Sequence, residues 1–140
     1  MKFNVLGEQT SVKIHIRGLA FPNSKYAIDR DMLHSHVKIN IPGYDADFQT
    51  MLSIVDIEKF LTSLQLMYES MTGEAILSNR DDTIQVKGKI NKLGHIDWYG
   101  ETCYPAGTGV MLTFEFTSDQ SYLASLIKEL ENITDELKRE

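Results

Sequence analysis

The chain lacks the features that would brace a fold covalently or place it in a membrane. Its 140 residues include one cysteine, Cys103, so no disulfide can form within the chain. No stretch approaches the ~18 consecutive apolar residues that a membrane helix requires, and the first residues lose their apolar character too early for a signal peptide. We therefore expect a protein of the reducing cytoplasm that makes no membrane contact.

Proline and glycine are also scarce, with 3 and 9 residues, whereas 42% of the chain is hydrophobic and 24% is charged. These proportions are typical of a globular protein and exclude disordered and fibrous classes. A chain of this length buries about 68–70% of its unfolded surface on folding, enough for one hydrophobic core. We expect a single domain over residues 1–140.

Basic residues are missing from one long stretch. Between Lys92 and Lys128 there is none, and residues 93–140 hold three Lys/Arg against nine Asp/Glu, which supplies the whole net charge of −6. This stretch should carry a negative potential, either as a solubility surface or as a binding surface for a basic protein. The net charge argues against direct binding of nucleic acid.

Alternating apolar and polar residues predict strands along most of the chain. Val12, Ile14 and Ile16 alternate with polar neighbours. Similar patterns occur in segments 33–41, 46–54, 84–90, 96–98 and 110–116, and short apolar segments at 3–6 and 75–77 complete about eight strands. Their short connections predict mostly antiparallel pairing.

Two segments have the periodicity of amphipathic helices. The first should begin with Asp56 as N-cap, and the second with a capping box between Thr117 and Gln120. The first predicted apolar stripe is Ile57, Phe60, Leu61, Leu64, Met67 and Tyr68. The second is Tyr122, Leu123, Leu126, Ile127, Leu130, Ile133 and Leu137. We predict an α+β fold in which these helices, after strands four and eight, pack on one face of the sheet. Ten residues should be buried together in its core: Val12, Ile39, Phe48, Phe60, Leu64, Ile96, Leu112, Phe114, Leu126 and Leu130.

The helices and strands also suggest an internal repeat. A shift of 62 positions places the strand and helix start around Leu52–Leu64 on those around Phe114–Leu126. Each half, residues 1–72 and 73–140, then has four strands followed by a helix, which suggests two pseudo-duplicated halves.

No motif for catalysis or for a cofactor is found. Nucleophile and phosphate-loop motifs are absent, and nothing beside Cys103 would activate its thiol. The pairs His34/His36 and His95/Asp97 could form a zinc site only if their strands paired, and solvent-facing histidines are the simpler interpretation. We expect no catalytic residues, no metal and no cofactor.

Two regions could contact a partner. The connection from Leu19 to Asp31 carries Phe21, Tyr26 and Ile28, which should either plug the edge of the core or face a partner. In the base-free stretch, Asp97, Tyr99, Glu101 and Tyr104 combine carboxylates with aromatic rings. We predict that these last four residues are exposed, lie close together and bind a basic protein, with Tyr104 on a loop that turns back over the end of the strand.

Three segments together carry a family resemblance. They are Phe60 to Leu77, the strand that begins Leu93-Gly94-His95-Ile96, and Leu112 to Ile127 with the helix start Thr117-Ser118-Asp119-Gln120-Ser121-Tyr122-Leu123. Through these segments the sequence resembles the WapI-type immunity proteins of bacterial contact-dependent toxin systems. The resemblance implies a small cytoplasmic antitoxin that neutralises the C-terminal toxin domain of a large secreted polymorphic protein. The founding target of that family is a tRNA-cleaving nuclease.

We therefore expect an immunity protein, and not an enzyme, that covers the basic active surface of a cognate nuclease toxin. The alternative is a small-ligand-binding domain with a pocket between the sheet and the helices.

Overall fold

A computed structural model describes residues 1–139 and contains eight strands and three helices. In chain order these are β1 (Lys2–Gly7), β2 (Thr10–Leu19), α1 (Ala27–Arg30), β3 (Met32–Ile41), β4 (Tyr44–Ser53), α2 (Ile54–Ser70), β5 (Glu74–Ser78), β6 (Ile84–Ile90), β7 (Ile96–Tyr104), β8 (Val110–Ser118) and α3 (Gln120–Lys138). The predicted α+β class, the eight strands and the antiparallel pairing are confirmed.

The strands form two sheets where one was expected. Sheet A has the order β1-β2-β3-β4 and sheet B the order β5-β6-β7-β8, so each half of the chain is an antiparallel meander followed by a helix. The 17-residue helix α2 is about 25 Å long, so the chain leaves the helix far from the end of β4. Strand β5 therefore starts a second sheet and makes no hairpin with β4.

Each long helix packs against a strand of the other half of the chain. Helix α2 follows sheet A but packs against β5, and α3 follows sheet B but packs against β1, while the two helices also contact each other. Glu129 of α3 accepts hydrogen bonds from the backbone and the side chain of Asn4, at 3.1 and 2.9 Å. The prediction that both helices lie on one face of a single sheet is therefore wrong.

The N-cap of helix α2 lies three residues before the predicted one, Asp56. Ser53 is the N-cap, and its hydroxyl accepts the N–H of Asp56 at 3.0 Å while the Asp56 carboxylate accepts the N–H of Ser53 at 3.1 Å. The reciprocal pair is a capping box. The predicted stripe is buried except for Tyr68, which is exposed.

Helix α3 begins at Asp119, whose carboxylate accepts the N–H of Ser121 at 2.9 Å. The predicted capping residue Thr117 lies instead in β8. The stripe is buried from Leu123 to Leu137, whereas Tyr122 is exposed.

Both halves contribute to one hydrophobic core between the sheets and the helices. Nine of the ten residues that the sequence places in the core, all except the half-buried Leu112, are buried in it: Val12, Ile39, Phe48, Phe60, Leu64, Ile96, Phe114, Leu126 and Leu130. A ligand pocket between sheet and helices, the alternative considered above, would have to open within this core.

The two halves match best at an offset other than the one the sequence suggested. The N-caps Ser53 and Asp119 lie 66 positions apart. At this offset the five buried residues of α2 fall on buried residues of α3: Ile57 on Leu123, Phe60 on Leu126, Leu61 on Ile127, Leu64 on Leu130 and Met67 on Ile133.

Candidate functional site

Strand β7 presents three of the four predicted partner-binding residues on one face. Asp97, Tyr99 and Glu101 alternate with buried residues, so their side chains point away from the core on the outer face of sheet B. Asp97 is exposed, and Tyr99 and Glu101 are half-buried. We call this surface the β7 face.

Tyr104 does not belong to the β7 face. It is the last residue of β7 and not part of a returning loop, so the alternation turns its side chain to the opposite side of the sheet. There it stacks on Phe48 of β4, with ring centroids 5.1 Å apart, and remains 50% exposed. The predicted clustering of all four residues is therefore wrong for Tyr104.

Side-chain hydrogen bonds order the β7 face. Tyr99 donates its hydroxyl to Glu101 Oε2 at 3.3 Å. Asp97 Oδ1 accepts from Asn91 Nδ2 at 3.1 Å and from Thr117 Oγ1 at 3.2 Å. Partial burial raises the pKa of the Tyr99 phenol, and the carboxylates of Glu101 and Glu115 raise it further. Tyr99 therefore remains a hydrogen-bond donor at neutral pH.

The neighbouring strands give the β7 face two charged borders. On β8, Glu115 lies directly opposite Tyr99. On β6, Lys87 lies opposite Tyr99 and Lys89 opposite Asp97. The base-free stretch is thus neutralised in part on its β6 side, and its carboxylates dominate only towards β8. The hairpin register across Pro105–Gly109 could have identified Glu115 from the sequence.

A cleft lies on the other side of β7, between the two sheets. Its volume is about 300 Å³, and Phe21, Met51 and Tyr104 contribute apolar surface to its lining. The side chains of Phe21, Tyr26 and Ile28 are 45%, 59% and 62% exposed. The connection from Leu19 to Asp31, which includes α1, therefore does not plug the core.

The histidines do not assemble a metal site. His34 and His36 are on β3 of sheet A, whereas His95 precedes β7 of sheet B, so the strands in question do not pair. Within residues 1–139, no group of three or more His, Cys, Asp or Glu side chains could hold a metal ion. In the same residues no helix is both long and apolar enough to cross a membrane.

Two solved structures share the fold. Trypanosoma bruciei MRP1/MRP2 aligns with a TM-score of 0.51 at 12% identity, over 94% of this chain and 81% of that chain. The plant transcriptional regulator PBF-2 aligns with a TM-score of 0.51 at 8% identity, over 96% of this chain and 80% of that chain. At these identities the likeness shows the fold alone.

Sequence comparison identifies the family. No curated protein matches the chain significantly. The model of the immunity protein WapI-like family, however, matches residues 4–138, which is nearly the whole chain and includes both sheets and both long helices. The chain therefore belongs to the immunity protein WapI-like family.

Proposed function

We propose that the protein neutralises a cognate secreted toxin domain, a nuclease, by covering the basic surface with which that toxin binds its substrate. Membership of the immunity protein family supports the toxin as partner. The observation that supports the mode of binding is the β7 face, where Asp97, Glu101 and Glu115 border the half-buried Tyr99 along β7 and on its β8 side.

The electrostatic argument starts from the substrate. A nuclease must present Lys and Arg to a phosphate backbone, so an acidic protein of matching shape competes for the same surface. Complementary charges also steer the two proteins together and speed association. The lysines of β6 should restrict docking to the β7 and β8 side of sheet B.

Tyr99 is the proposed anchor of this interface. Tyrosine is enriched among residues that dominate binding energy, because it buries a rigid ring and keeps a polar end. Its hydrogen bond to Glu101 fixes the hydroxyl beside a carboxylate. A toxin arginine could therefore contact ring and carboxylate together.

Tyr104 supports a second contact across the cleft. It shares the cleft lining with Phe21, and both rings are about half exposed. An apolar side chain of the toxin would bury both rings. The proposed interface thus wraps around the end of β7.

Inhibition by coverage requires no chemistry from the immunity protein, so we propose that it has no enzymatic activity. It would act in the cytoplasm, where a delivered nuclease meets its substrate.

The test is surface plasmon resonance against the cognate toxin domain, combined with a nuclease assay. Tyr99→Ala and Tyr104→Ala should raise the dissociation rate about tenfold or more, the range of an aromatic hot spot. Asp97→Lys and Glu101→Lys should slow association at low salt. Glu58→Lys, the same charge change at an exposed position of α2, is the matched control.

Two outcomes would contradict parts of this proposal. Unchanged rates for all four folded variants, with inhibition retained, would place the interface elsewhere. Failure of the unmodified protein to bind or inhibit the toxin domain would refute the toxin-neutralising function itself.

A further inference from the structure

The outer face of sheet A carries positive charge, although the protein as a whole is acidic. Lys2, Lys13, Arg17 and Lys38 are exposed on strands β1, β2 and β3. We call the outward side of this sheet the cationic face. The side chains of His15, His34 and His36 lie among these cations.

Like charges oppose each other in the middle of this face. Lys13 pairs in register with Lys38, and His15 with His36. Directly opposed like charges destabilise a sheet, and of these two lysines Lys38 alone has an acidic residue, Asp47, opposite it on its other side. Folding therefore gives no reason for a cation at Lys13. Within residues 1–139, Lys2, Lys13, Arg17 and Lys38 form no salt bridge.

The acidic groups of the face lie at its two edges, and Glu129 of α3 is bound to Asn4 on the edge strand β1. Asp45 and Asp47 are on the edge strand β4, opposite Asn40 and Lys38. Asp47 is bound to His36 Nε2, and His36 Nδ1 faces Arg17 Nη2 at 3.4 Å. The carboxylate of Asp47 is therefore bound to His36 and lies opposite Lys38, whereas Lys13 has no acidic residue opposite it on either neighbouring strand.

The titration of His15 reflects the same field. Partial burial lowers its pKa, and the positive charges of Arg17 and Lys2 lower it further. The potential at the centre of the face is therefore positive.

The composition of the face distinguishes between anionic partners. Protein interfaces have an apolar, aromatic centre from which charge is depleted. On strands β1 to β4 no aromatic side chain has an outward register position; charged and polar groups fill the centre. Phosphate backbones are contacted by Lys, Arg, Ser, Asn and Gln, and this face also offers Ser11, Asn40 and Gln49. The absence of stacking rings also disfavours single strands, whose bases need aromatic platforms.

The net charge of −6 does not neutralise the positive potential of the cationic face. Screening limits the reach of exposed charges to about 10 Å at 0.1 M salt, and packed sheets alone are ~10 Å apart. The β7 face lies across the shared core from the cationic face.

We infer that the cationic face binds the phosphate backbone of a nucleic acid duplex, without reading its base sequence. This activity is separate from toxin neutralisation, because it uses the outer side of the other sheet. The inference does not rest on the proposed function.

The test measures fluorescence anisotropy of a labelled, mixed-sequence DNA duplex with the full chain over a salt series. Four cations predict that log K falls with log [salt] with a slope of up to about −3.6. Lys13→Gln/Lys38→Gln should reduce the magnitude of the slope by about 1.8 and weaken binding at least ~10-fold near 50 mM salt. A second sequence of equal length should bind equally well.

The matched control is Lys59→Gln/Lys92→Gln, which changes the net charge identically at exposed positions of α2 and of the β6–β7 turn. It should bind the duplex within twofold of the unmodified protein. Equal weakening by both double variants, or no duplex binding by the unmodified protein, would overturn the inference. So would binding of poly-glutamate or of phosphatidylserine vesicles in place of the duplex.

Toxin binding by the same variants separates the two proposals. Lys13→Gln/Lys38→Gln should retain toxin affinity while losing duplex affinity. Loss of both in a folded variant would place the toxin on the cationic face and overturn the inference.

Discussion

Lys13 and Lys38 lie directly opposite each other on the adjacent strands β2 and β3, and both side chains are exposed. Their repulsion opposes folding, because opposed like charges destabilise a sheet. Lys13→Gln should therefore raise the free energy of unfolding by about 0.2–1 kcal/mol, because Lys13 has the uncharged Asn4 on its other side, whereas Lys38 also lies opposite Asp47. Urea denaturation at low salt measures the gain, which should shrink as salt screens the pair. Lys92→Gln is the control; an equal gain there would show that net charge, and not the pair, is responsible.

Asn79 connects the two sheets through a buried amide. Its Nδ2 donates to Thr50 Oγ1 at 3.0 Å and to the carbonyl of Met51 at 3.1 Å, both on β4, while its Oδ1 accepts the N–H of Thr83 at 3.0 Å. Asn79→Ala should lower the free energy of unfolding by about 2–4 kcal/mol, since each buried group left unpaired costs about 1–3 kcal/mol. Asn132→Ala, at an exposed position of α3, should have little effect.

The same experiment tests the proposal that residues 1–140 form a single domain built of two pseudo-duplicated halves. Circular dichroism reports both halves, whereas the fluorescence of the single tryptophan, Trp98, reports sheet B. One domain predicts coincident unfolding curves for both probes, in the unmodified chain and in Asn79→Ala. Separate midpoints would indicate two independently folding halves.

Gly88 leaves room for the indole of Trp98 on the facing strand. A Cβ at position 88 would lie 2.5 Å from Trp98 Cζ3 and 2.7 Å from Cε3, inside the contact distance. Displacing the ring also strains its hydrogen bond to Ser118 Oγ, which spans 2.9 Å. Gly88→Ala should destabilise the protein by about 1–3 kcal/mol, the range for overpacking. In a double-mutant cycle, Trp98→Phe should relieve part of this cost, because phenylalanine lacks the crowding atoms; strict additivity would contradict the explanation.

His15 should make stability depend on pH near neutrality. Its folded pKa is lowered from the ordinary value of 6.5 by partial burial and by Arg17, so the unfolded chain binds the proton more readily. The free energy of unfolding should therefore fall as pH drops below about 6.5. His15→Gln should flatten this dependence in denaturant titrations between about pH 7 and about pH 5. An unchanged pH profile in the variant would show that His15 is not responsible.

Local patterns in the sequence predicted the elements well. Both helical stripes matched except at the exposed Tyr68 and Tyr122, because a period of 3.6 residues depends only on which side chains need burial. The predicted N-caps of both helices were wrong. Ser53 is the last residue of β4 and Thr117 lies in β8, so the strand alternation hides where each helix begins. Hydrogen-bond geometry, which alternation does not encode, selected Ser53 and Asp119.

For the candidate site, too, local alternation was predicted correctly, whereas the pairing between distant segments was not. Alternation correctly placed Asp97, Tyr99 and Glu101 on one face, since a strand has a period of two residues. Tyr104 was assigned to a turn because Pro105 and two glycines follow it, yet pairing with Val110 keeps it in the strand and points it to the other side. The lysines opposite Asp97 and Tyr99 come from a different segment, whose register only the fold specifies.

By itself, the sequence determined the α+β class, the number of strands, the helix faces and the family, because each depends on local periodicity or on motifs. The tertiary structure decided that the strands form two sheets, that each long helix packs on the other half, and where the charges lie. Net charge is a sum over the whole chain, whereas binding depends on potential within a Debye length. Lys2, Lys13, Arg17 and Lys38 are scattered along the sequence, and strand pairing alone gathers them on one face of an acidic protein.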